Sequence, residues 1–328
     1  MTPFAIAGVQ MQVAAEHENV TAMGHKIDQV MARFPWVQMV LFSELAPFGP
    51  VPAQNPEALD QTIAHFAGLA HRHGIWLIPG SLYVREHGQL FNECLVFAPS
   101  GEIAARYRKI FPFAPYEIGV TGGTEAVVFD VPGAGRFGLS ICYDIWFPET
   151  TRQLTAMGAE VLLHPVLTGT IDRHIELSIA RATAAMFQCY VFDINGLGAG
   201  GTGHSCVVDP SGAALYEAAG QEEIIPVEVD FDLVRRQRTN GLRGLGQTLK
   251  SFRDHRCDFP VYDDERFDTS YLDGLGPLAM PVRGAPHDTD GLKPEELLPL
   301  EGKQDDKQQE EAAQVMPLHP VAADKGGD

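Results

Sequence analysis

The sequence lacks the features that mark a membrane protein, an exported protein or a nucleic-acid-binding protein. Its 328 residues contain no uninterrupted apolar run of about 18 or more, the length that a membrane-spanning helix needs. The first residues show no basic stretch followed by a long apolar run and a small-residue cleavage site. Basic residues number 24 against 43 acidic ones, and a net charge of -19 disfavours nucleic acid or an anionic membrane as partner. We therefore expect a soluble, unexported protein that acts on small molecules.

Cysteine is also scarce, and its spacing excludes two common uses. The five cysteines are odd in number, far apart and without a Cys-x-x-Cys pair, so neither a disulfide framework nor a zinc ribbon is expected. His71 and His73 lie two residues apart, a spacing that splays the side chains of a helix and does not suit a shared metal. We predict a protein of the reducing cytoplasm with no metal and no cofactor.

What the sequence does contain is an alternation of strand-like and helix-like runs over its first 260 or so residues, which is typical of an α/β fold. The predicted strands are residues 4–10, 37–43, 75–83, 93–99, 136–142, 160–166, 189–195, 204–210 and 223–229. The predicted helices are residues 15–34, 57–73, 148–158 and 171–187. Two Pro-Ser-Gly turns, in "VFAPSGEIAARY" and "VVDPSGAALYE", each predict an antiparallel hairpin.

The composition changes near residue 274. Residues 274–328 are acidic, contain scattered prolines and have few large apolar side chains to offset the entropy of ordering. We interpret residues 1–273 as one catalytic or binding domain and 274–328 as an extension. The extension is expected either to be mobile or to strap across a subunit interface.

Three potentially reactive side chains follow apolar strands or lie in proline-punctuated loops, where open α/β sheets place their sites. They are Glu44 in "FSELAPFG", Lys109 in "YRKIFPFAPYEIG" and Cys142 in "ICYDIWFPE". Each has an ordinary explanation by itself. Glu44 would be a capping or salt-bridged carboxylate, Lys109 a solvated lysine and Cys142 an inert core thiol. Their joint occurrence favours a shared chemical role.

In this order and spacing the three motifs resemble the Glu, Lys, Cys triad of the nitrilase or carbon-nitrogen hydrolase superfamily. The resemblance covers roughly residues 4 to 232 and includes "MGAEVLLHP" and "GHSCVVDPSG". It implies a four-layer α-β-β-α sandwich whose second face packs against another subunit, hence a homo-oligomer. Glu117 matches a second glutamate that the family often carries after the lysine; the alternative is a surface carboxylate.

The resemblance also implies a mechanism in which Cys142 attacks an amide and Glu44 accepts the thiol proton. The Lys109 ammonium and the backbone N–H of Tyr143 would stabilise the oxyanion. Ammonia or an amine leaves, and water then releases a carboxylic acid from the thioester. Ser140 is a poor nucleophile candidate, because "GLSIC" ends in cysteine and is not a serine-hydrolase elbow.

The branch of the superfamily is indicated by the two residues after the cysteine. True nitrilases usually show tryptophan then glutamate there, whereas this chain has Tyr143 and Asp144. We predict a thiol amidohydrolase of a small amide, with an N-carbamoyl amino acid or amine amidohydrolase, or a nitrilase, as alternatives. Three further possibilities stay open: an acyltransferase, a redox-sensing thiol protein and a non-catalytic binding scaffold on the same fold.

Four residues are candidates for substrate binding. Tyr143 follows the nucleophile, and Trp146 and Phe147 either line the acyl pocket or belong to the core. Arg173, in "TIDRHIE", either grips a substrate carboxylate through its guanidinium or is simply solvated.

Overall fold

The computed structural model describes residues 3–15, 18–51, 56–255, 257–263 and 265–279. Most of the predicted extension, from residue 280 onward, lies outside these described residues, so its boundary and role stay predictions. Within the described part of the chain, no helix combines the length and the apolar character needed to cross a bilayer.

Strands and helices alternate along the described chain, as the sequence pattern predicts. The strands are β1 (Phe4–Gln10), β2 (Gln12–Val13), β3 (Met39–Phe42), β4 (Trp76–Ile78), β5 (Ser81–Glu86), β6 (Gln89–Phe97), β7 (Ile103–Arg108), β8 (Val128–Val131), β9 (Gly135–Leu139), β10 (Val161–Val166), β11 (Tyr190–Asn195), β12 (Leu197–Gly198), β13 (Gly201–Thr202), β14 (Cys206–Val208), β15 (Ala214–Glu217) and β16 (Glu223–Val229). The helices are α1 (Val20–Arg33), α2 (Pro56–His73), α3 (Pro148–Ala156), α4 (Arg173–Phe187), α5 (Phe231–Asn240), α6 (Thr248–Asp254) and α7 (Ser270–Asp273). Short 3-10 turns cover Cys142–Trp146 and Pro260–Tyr262.

Two sheets form the centre of the fold. The first has the order β16-β1-β3-β4-β6-β5, with β7 paired to β6, and its β1, β3 and β4 are parallel. The second has the order β15-β14-β11-β10-β9-β8, with β9, β10 and β11 parallel. Both predicted hairpins form, because β6 pairs antiparallel with β7 and β14 with β15.

The layers follow from which side chains each sheet buries. One apolar core holds side chains of both sheets, such as Ile6 and Leu41 from the first and Phe137 and Leu163 from the second. A second core joins the outer face of the first sheet to α1 and α2. A third joins the outer face of the second sheet to α3 and α4. The order is therefore helices, sheet, sheet, helices, and the predicted four-layer α-β-β-α sandwich is confirmed.

The structure differs from the sequence prediction mainly at strand ends. The strand predicted over 75–83 is interrupted at Gly80, whose φ of 80° no extended strand adopts. The strand predicted over 136–142 ends at Leu139, so Cys142 lies beyond it. Helix α5 was not predicted, because its apolar positions are few among the charged residues of "FDLVRRQRTN".

Candidate active site

Glu44 lies just beyond the carboxyl end of β3, at the edge where parallel strands of α/β sheets place their sites. Glu44 is 2% exposed. Its backbone N–H donates to the Val166 carbonyl at 3.2 Å, so the end of β3 is tied to the end of β10 in the other sheet. The next residue, Leu45, has a left-handed φ of 51°. The turn therefore leaves the strand abruptly and holds the carboxylate between the two sheets.

Gly80 and Ser81 support this turn from the neighbouring strand. A Cβ atom on Gly80 would lie 1.8 Å from the Ser43 carbonyl oxygen, so only glycine fits at this position. The Ser81 hydroxyl accepts a hydrogen bond from the Leu45 N–H at 3.1 Å. The break in the predicted strand 75–83 is thus the feature that lets the chain pack against the Glu44 turn.

Cys142 occupies an elbow between β9 and the helical run that follows. Its φ is 46°, a left-handed value that is strained for a residue with a side chain. The residue is 7% exposed, and its thiol donates to the Leu167 carbonyl at 3.7 Å. The Thr168 hydroxyl lies 4.0 Å from the sulfur. The predicted helix 148–158 begins at Pro148, and the 3-10 turn Cys142–Trp146 lies between the elbow and that helix.

Lys109 lies one residue beyond β7 and is 2% exposed, so the alternative of a solvated lysine is wrong. Its backbone N–H donates to the Asn92 carbonyl at 2.9 Å. Its Nζ donates to Glu44 Oε1 at 2.8 Å and to Glu117 Oε2 at 2.7 Å. Glu117 is partly buried and also accepts from the Phe113 N–H at 2.6 Å. The fold thus brings together the four residues that the motifs singled out as catalytic.

The charges of this cluster shift each other's pKa values. Burial raises the pKa of Glu44; the Lys109 ammonium offsets part of this rise, and the charge of Glu117 adds to it. Burial opposes the charge of Lys109, but Glu44, Cys142 and Glu117 outweigh it and raise its pKa well above the ordinary value. Burial would raise the pKa of Glu117, yet Lys109 outweighs it and the pKa is lowered. Lys109 is therefore charged at neutral pH.

The Cys142 thiol is held in its neutral form. Burial raises the pKa of the thiol well above its ordinary value, and the negative charge of Glu44 adds to the rise. The Lys109 ammonium acts in the opposite sense without overcoming it. The Cys142 side chain in turn lowers the pKa of Glu44, so a proton acceptor lies near the thiol. This arrangement suits a thiol that loses its proton to a base during attack.

Asn92, on β6, is a site residue that the sequence reasoning missed. Its Nδ2 donates to Glu44 Oε1 at 2.8 Å and to Glu117 Oε1 at 3.1 Å, so one amide bridges the two carboxylates. The Tyr83 hydroxyl lies 3.4 Å from the same Glu117 oxygen. The sequence signal was an amide inside the apolar run "QLFNECLVF", since a buried polar side chain needs partners.

The backbone N–H of Tyr143 is free to serve as an oxyanion donor. Tyr143 is the second residue of the 3-10 turn Cys142–Trp146, and among the described residues no acceptor receives its backbone hydrogen. The Lys109 ammonium is the second candidate donor of the site. Their role as oxyanion donors stays a prediction.

The three aromatic candidates after the cysteine are half-buried; Tyr143 and Phe147 contact the lysine-bearing loop, while Trp146 faces α4. The Phe147 ring stacks on Phe111 with centroids 3.6 Å apart. The Tyr143 ring meets Phe113 edge to face at 4.9 Å, and the Trp146 indole N–H lies 3.4 Å from Glu176 Oε1. These rings border the site, and their contact with a substrate stays a prediction.

Arg173 begins α4 and is 2% exposed, so the alternative of a solvated arginine is wrong. Its guanidinium donates to Asp193 Oδ1 at 2.5 Å, to Glu176 Oε2 at 3.2 Å and to the His204 carbonyl at 2.7 Å. Groups of the protein therefore use most of its donors. This geometry supports a role in attaching α4 to the second sheet and lends no support to the predicted grip on a substrate carboxylate.

Comparison with known proteins places this architecture in a family. The family model described as carbon-nitrogen hydrolase matches residues 5–239. The chloroplastic omega-amidase of Arabidopsis thaliana is 30% identical over 268 residues, which cover 73% of this chain and 71% of that protein. The 2-oxoglutaramate amidase of Bacillus subtilis is 31% identical over 207 residues, covering 61% and 72%.

Solved structures agree with these matches. The crystal structure of a carbon-nitrogen hydrolase from Helicobacter pylori has a TM-score of 0.66 and 25% identity to this chain. The match covers 77% of this chain and 97% of that one. The predicted superfamily, fold and enzyme class are confirmed: this chain belongs to the carbon-nitrogen hydrolase family and is a hydrolase of the amidase type.

Proposed function

We propose that this protein hydrolyses a small linear amide through a thioester on Cys142, with Glu44 as base and Lys109 as oxyanion donor. The observation that carries the proposal is the convergence of these three buried side chains, since Lys109 Nζ lies 2.8 Å from Glu44, and Glu44 and the Cys142 thiol are near enough to shift each other's pKa. An inert core thiol would have no need of a charged pair beside it, and burying one is costly.

In the first half-reaction, the Cys142 sulfur attacks the amide carbonyl carbon while its proton passes to the Glu44 carboxylate. The carbonyl electrons move onto oxygen, which receives hydrogen bonds from the Lys109 ammonium and the Tyr143 N–H. The carbon-nitrogen bond then breaks. Glu44 gives its proton to the leaving nitrogen, which departs as ammonia or an amine and leaves a thioester.

In the second half-reaction, Glu44 takes a proton from water as the water oxygen attacks the thioester carbonyl. The same two donors stabilise the second oxyanion. The carbon-sulfur bond breaks, a carboxylic acid is released, and the proton on Glu44 returns to sulfur. Glu117 and Asn92 hold Glu44 and Lys109 in place throughout, through the hydrogen bonds described above.

The relatives support amides of dicarboxylic acids as the first substrates to try. The two curated relatives described above are named as an omega-amidase and a 2-oxoglutaramate amidase. We propose that this chain likewise acts on the terminal amide of a short carboxylic acid. The half-buried aromatic rings of Tyr143 and Phe147 suit a compact acyl group.

The test is ammonia release by the purified protein on four classes of compound, beside the Cys142→Ala variant. The classes are dicarboxylic-acid monoamides, short aliphatic amides, N-carbamoyl amino acids and nitriles. We expect the first class to react fastest and the variant to be inactive. Faster release from a carbamoyl compound or a nitrile would contradict the substrate class. Silence of the folded wild-type protein on all four would contradict the proposed activity and favour the binding scaffold.

We also propose that the protein is a homo-oligomer of the reducing cytoplasm. Support for assembly comes from exposed apolar side chains on α4 and just before it. Ile171, Ile175 and Met186 are 87%, 49% and 47% exposed. Support for the compartment comes from the cysteines, all five of which are free. Sedimentation equilibrium tests the first statement, and a monomer at micromolar concentration would contradict it.

A further inference from the structure

Asp144 lies two residues after Cys142 and is fully buried, with 0% exposure. In the mechanism proposed above it neither touches the substrate nor exchanges a proton. A buried carboxylate needs hydrogen-bond donors or a nearby cation, because burial without them is costly. The identity of its donors therefore indicates what this carboxylate does.

Two of the donors flank the lysine. The Tyr107 hydroxyl donates to Asp144 Oδ2 at 2.6 Å, and the Phe111 backbone N–H donates to Oδ1 at 2.8 Å. Tyr107 precedes Lys109 by two residues and Phe111 follows it by two. The carboxylate thus binds the backbone of the lysine-bearing segment after Lys109 and a side chain before it.

The third donor belongs to the elbow. The Ile141 backbone N–H, immediately before Cys142, donates to Asp144 Oδ2 at 2.9 Å. The Asp144 backbone closes the turn from the other side, because its N–H donates to the Ile141 carbonyl at 3.0 Å. Its own carbonyl accepts from the Thr150 hydroxyl at 2.9 Å, which ties the turn to α3. Cys142 is therefore enclosed in a local ring of hydrogen bonds that holds its left-handed backbone.

We propose that Asp144 is a positioning residue that sets the distance between the Lys109 ammonium and the Cys142 thiol. One carboxylate accepts hydrogen bonds from both sides of the lysine and from the Ile141 N–H before the elbow cysteine, while Asp144 itself follows that cysteine in the chain. The two oxyanion donors, Lys109 Nζ and the Tyr143 N–H, belong to the two segments that Asp144 joins. Their separation is consequently fixed through a single side chain.

A carboxylate is needed because both of its oxygens act as acceptors. Asparagine has one acceptor oxygen and would turn an NH₂ group toward either the Phe111 N–H or the Ile141 N–H. Burial raises the pKa of Asp144 to about 6, and its three hydrogen bonds act against that rise. The charged form is thus stabilised by the same donors that it positions.

The inference rests on the proposed function, and Asp144→Asn tests it against a matched control, Glu160→Gln. Glu160 is also a buried carboxylate, but its partners are Arg235 and the Arg136 N–H, away from the reacting groups. We expect Asp144→Asn to lower kcat about 100-fold with KM changed less than about threefold, since misplacing reacting groups by about 1 Å has effects of this size. Glu160→Gln is expected to lose stability and to keep kcat.

A second variant separates placement from charge. Tyr107→Phe removes the hydroxyl donor and retains every charge of the site, so we expect a kcat loss of about 5- to 10-fold. Alkylation of Cys142 by iodoacetamide, followed by mass spectrometry of the peptide that contains it, should shift to higher pH in this variant. The reason is that Lys109 lies less well placed to favour the thiolate.

Two results would overturn the inference. One is a folded Asp144→Asn protein whose kcat is within twofold of wild type. The other is an equal kcat loss in Glu160→Gln at equal loss of stability, which would make the effect a general one of buried carboxylates. If the wild-type protein hydrolyses no compound, the proposed function fails; the alkylation profile of Tyr107→Phe then decides on positioning, and an unshifted profile contradicts it.

Discussion

Two buried ionic clusters in the described part of this fold share one arrangement of charges and differ in their surroundings. Each consists of one cation between two carboxylates. The lysine cluster lies at the strand ends between the sheets and consists of Glu44, Lys109 and Glu117. The arginine cluster lies between the second sheet and α4 and consists of Arg173, Glu176 and Asp193.

The comparison shows that burial and charge do not by themselves indicate a catalytic site. Arg173 presents a rigid fork, and its donors are used by carboxylates and the His204 carbonyl. Lys109 is a compact charge on a flexible stem, next to a thiol that has a base beside it. The arginine cluster therefore attaches a helix to a sheet, while the lysine cluster holds its charge near the thiol, where we propose that it stabilises the oxyanion.

The largest expected loss of activity comes from changing Cys142, which lies beside the lysine cluster. Cys142→Ala should lower kcat by at least about 10⁴-fold, because the nucleophile is lost. The free energy of unfolding should change by less than about 1 kcal/mol, because a single sulfur atom is removed. Turnover assays and urea denaturation measure the two quantities. If Cys142→Ala retained turnover, Cys142 would be only a core thiol, and the lysine cluster would no longer be distinguished from the arginine cluster by a catalytic role.

Glu44→Gln tests the base. Loss of a positioned general base lowers rates by about 10²- to 10⁴-fold, and we expect kcat to fall in this range. The amide retains the shape of the side chain and its hydrogen bond with Lys109. The matched change in the arginine cluster, Asp193→Asn, should reduce stability and leave the kcat of folded molecules within about threefold. Equal kcat losses in the two variants would contradict the division of roles.

Arg173→Met tests the structural cluster. Removing one partner of a buried ion pair reduces stability by about 3–5 kcal/mol, and this change leaves Asp193 buried without its cation. Chemical denaturation measures the loss. The control is Arg181→Met, which breaks an exposed ion pair with Glu217 and should cost less than about 1 kcal/mol. A kcat loss in Arg173→Met without a stability loss would restore its predicted contact with substrate.

Asn92→Ala removes the amide that bridges the two carboxylates of the lysine cluster. We expect kcat to fall about 10-fold, since a hydrogen bond to a charged group contributes about 1.5–3 kcal/mol and Lys109 still holds Glu44. Steady-state kinetics on the best amide measure the effect. An unchanged kcat would show that Lys109 alone is sufficient to place the base.

The pH dependence of kcat/KM provides the smallest but most specific test. Protonated Glu44 cannot accept the thiol proton, so kcat/KM should fall as pH falls through the pKa of Glu44. Because burial raises that pKa, the acid limb should lie above pH 4.5, the ordinary value for glutamate. Glu44→Gln should lack this limb. An acid limb that survives in the variant would assign the titration to another group.

The periodicity of the sequence was sufficient to predict α1 to α4 and most central strands, but not α5. Strand ends were less predictable, and the site depends on them. Gly80 ends one strand and lets the chain pass the Ser43 carbonyl, while Cys142 leaves its strand with a left-handed backbone. Local strand propensity alone predicts that these apolar runs continue as strands. Close tertiary contacts override that propensity and end the strands earlier.

The sequence by itself determined the chemistry of this protein: a cysteine, a glutamate and a lysine in three motifs that identify a carbon-nitrogen hydrolase. Only the tertiary structure decided which groups meet. Lys109 and Glu44 are 65 residues apart, and Asn92 and Glu44 are 48 apart, so their hydrogen bonds depend on how the strands pair and where they end. The same holds for Arg173, whose carboxylate Asp193 lies on a separate strand. The physical reason is that sequence patterns report local period and residue type, whereas burial and pKa depend on the neighbours that long-range packing supplies.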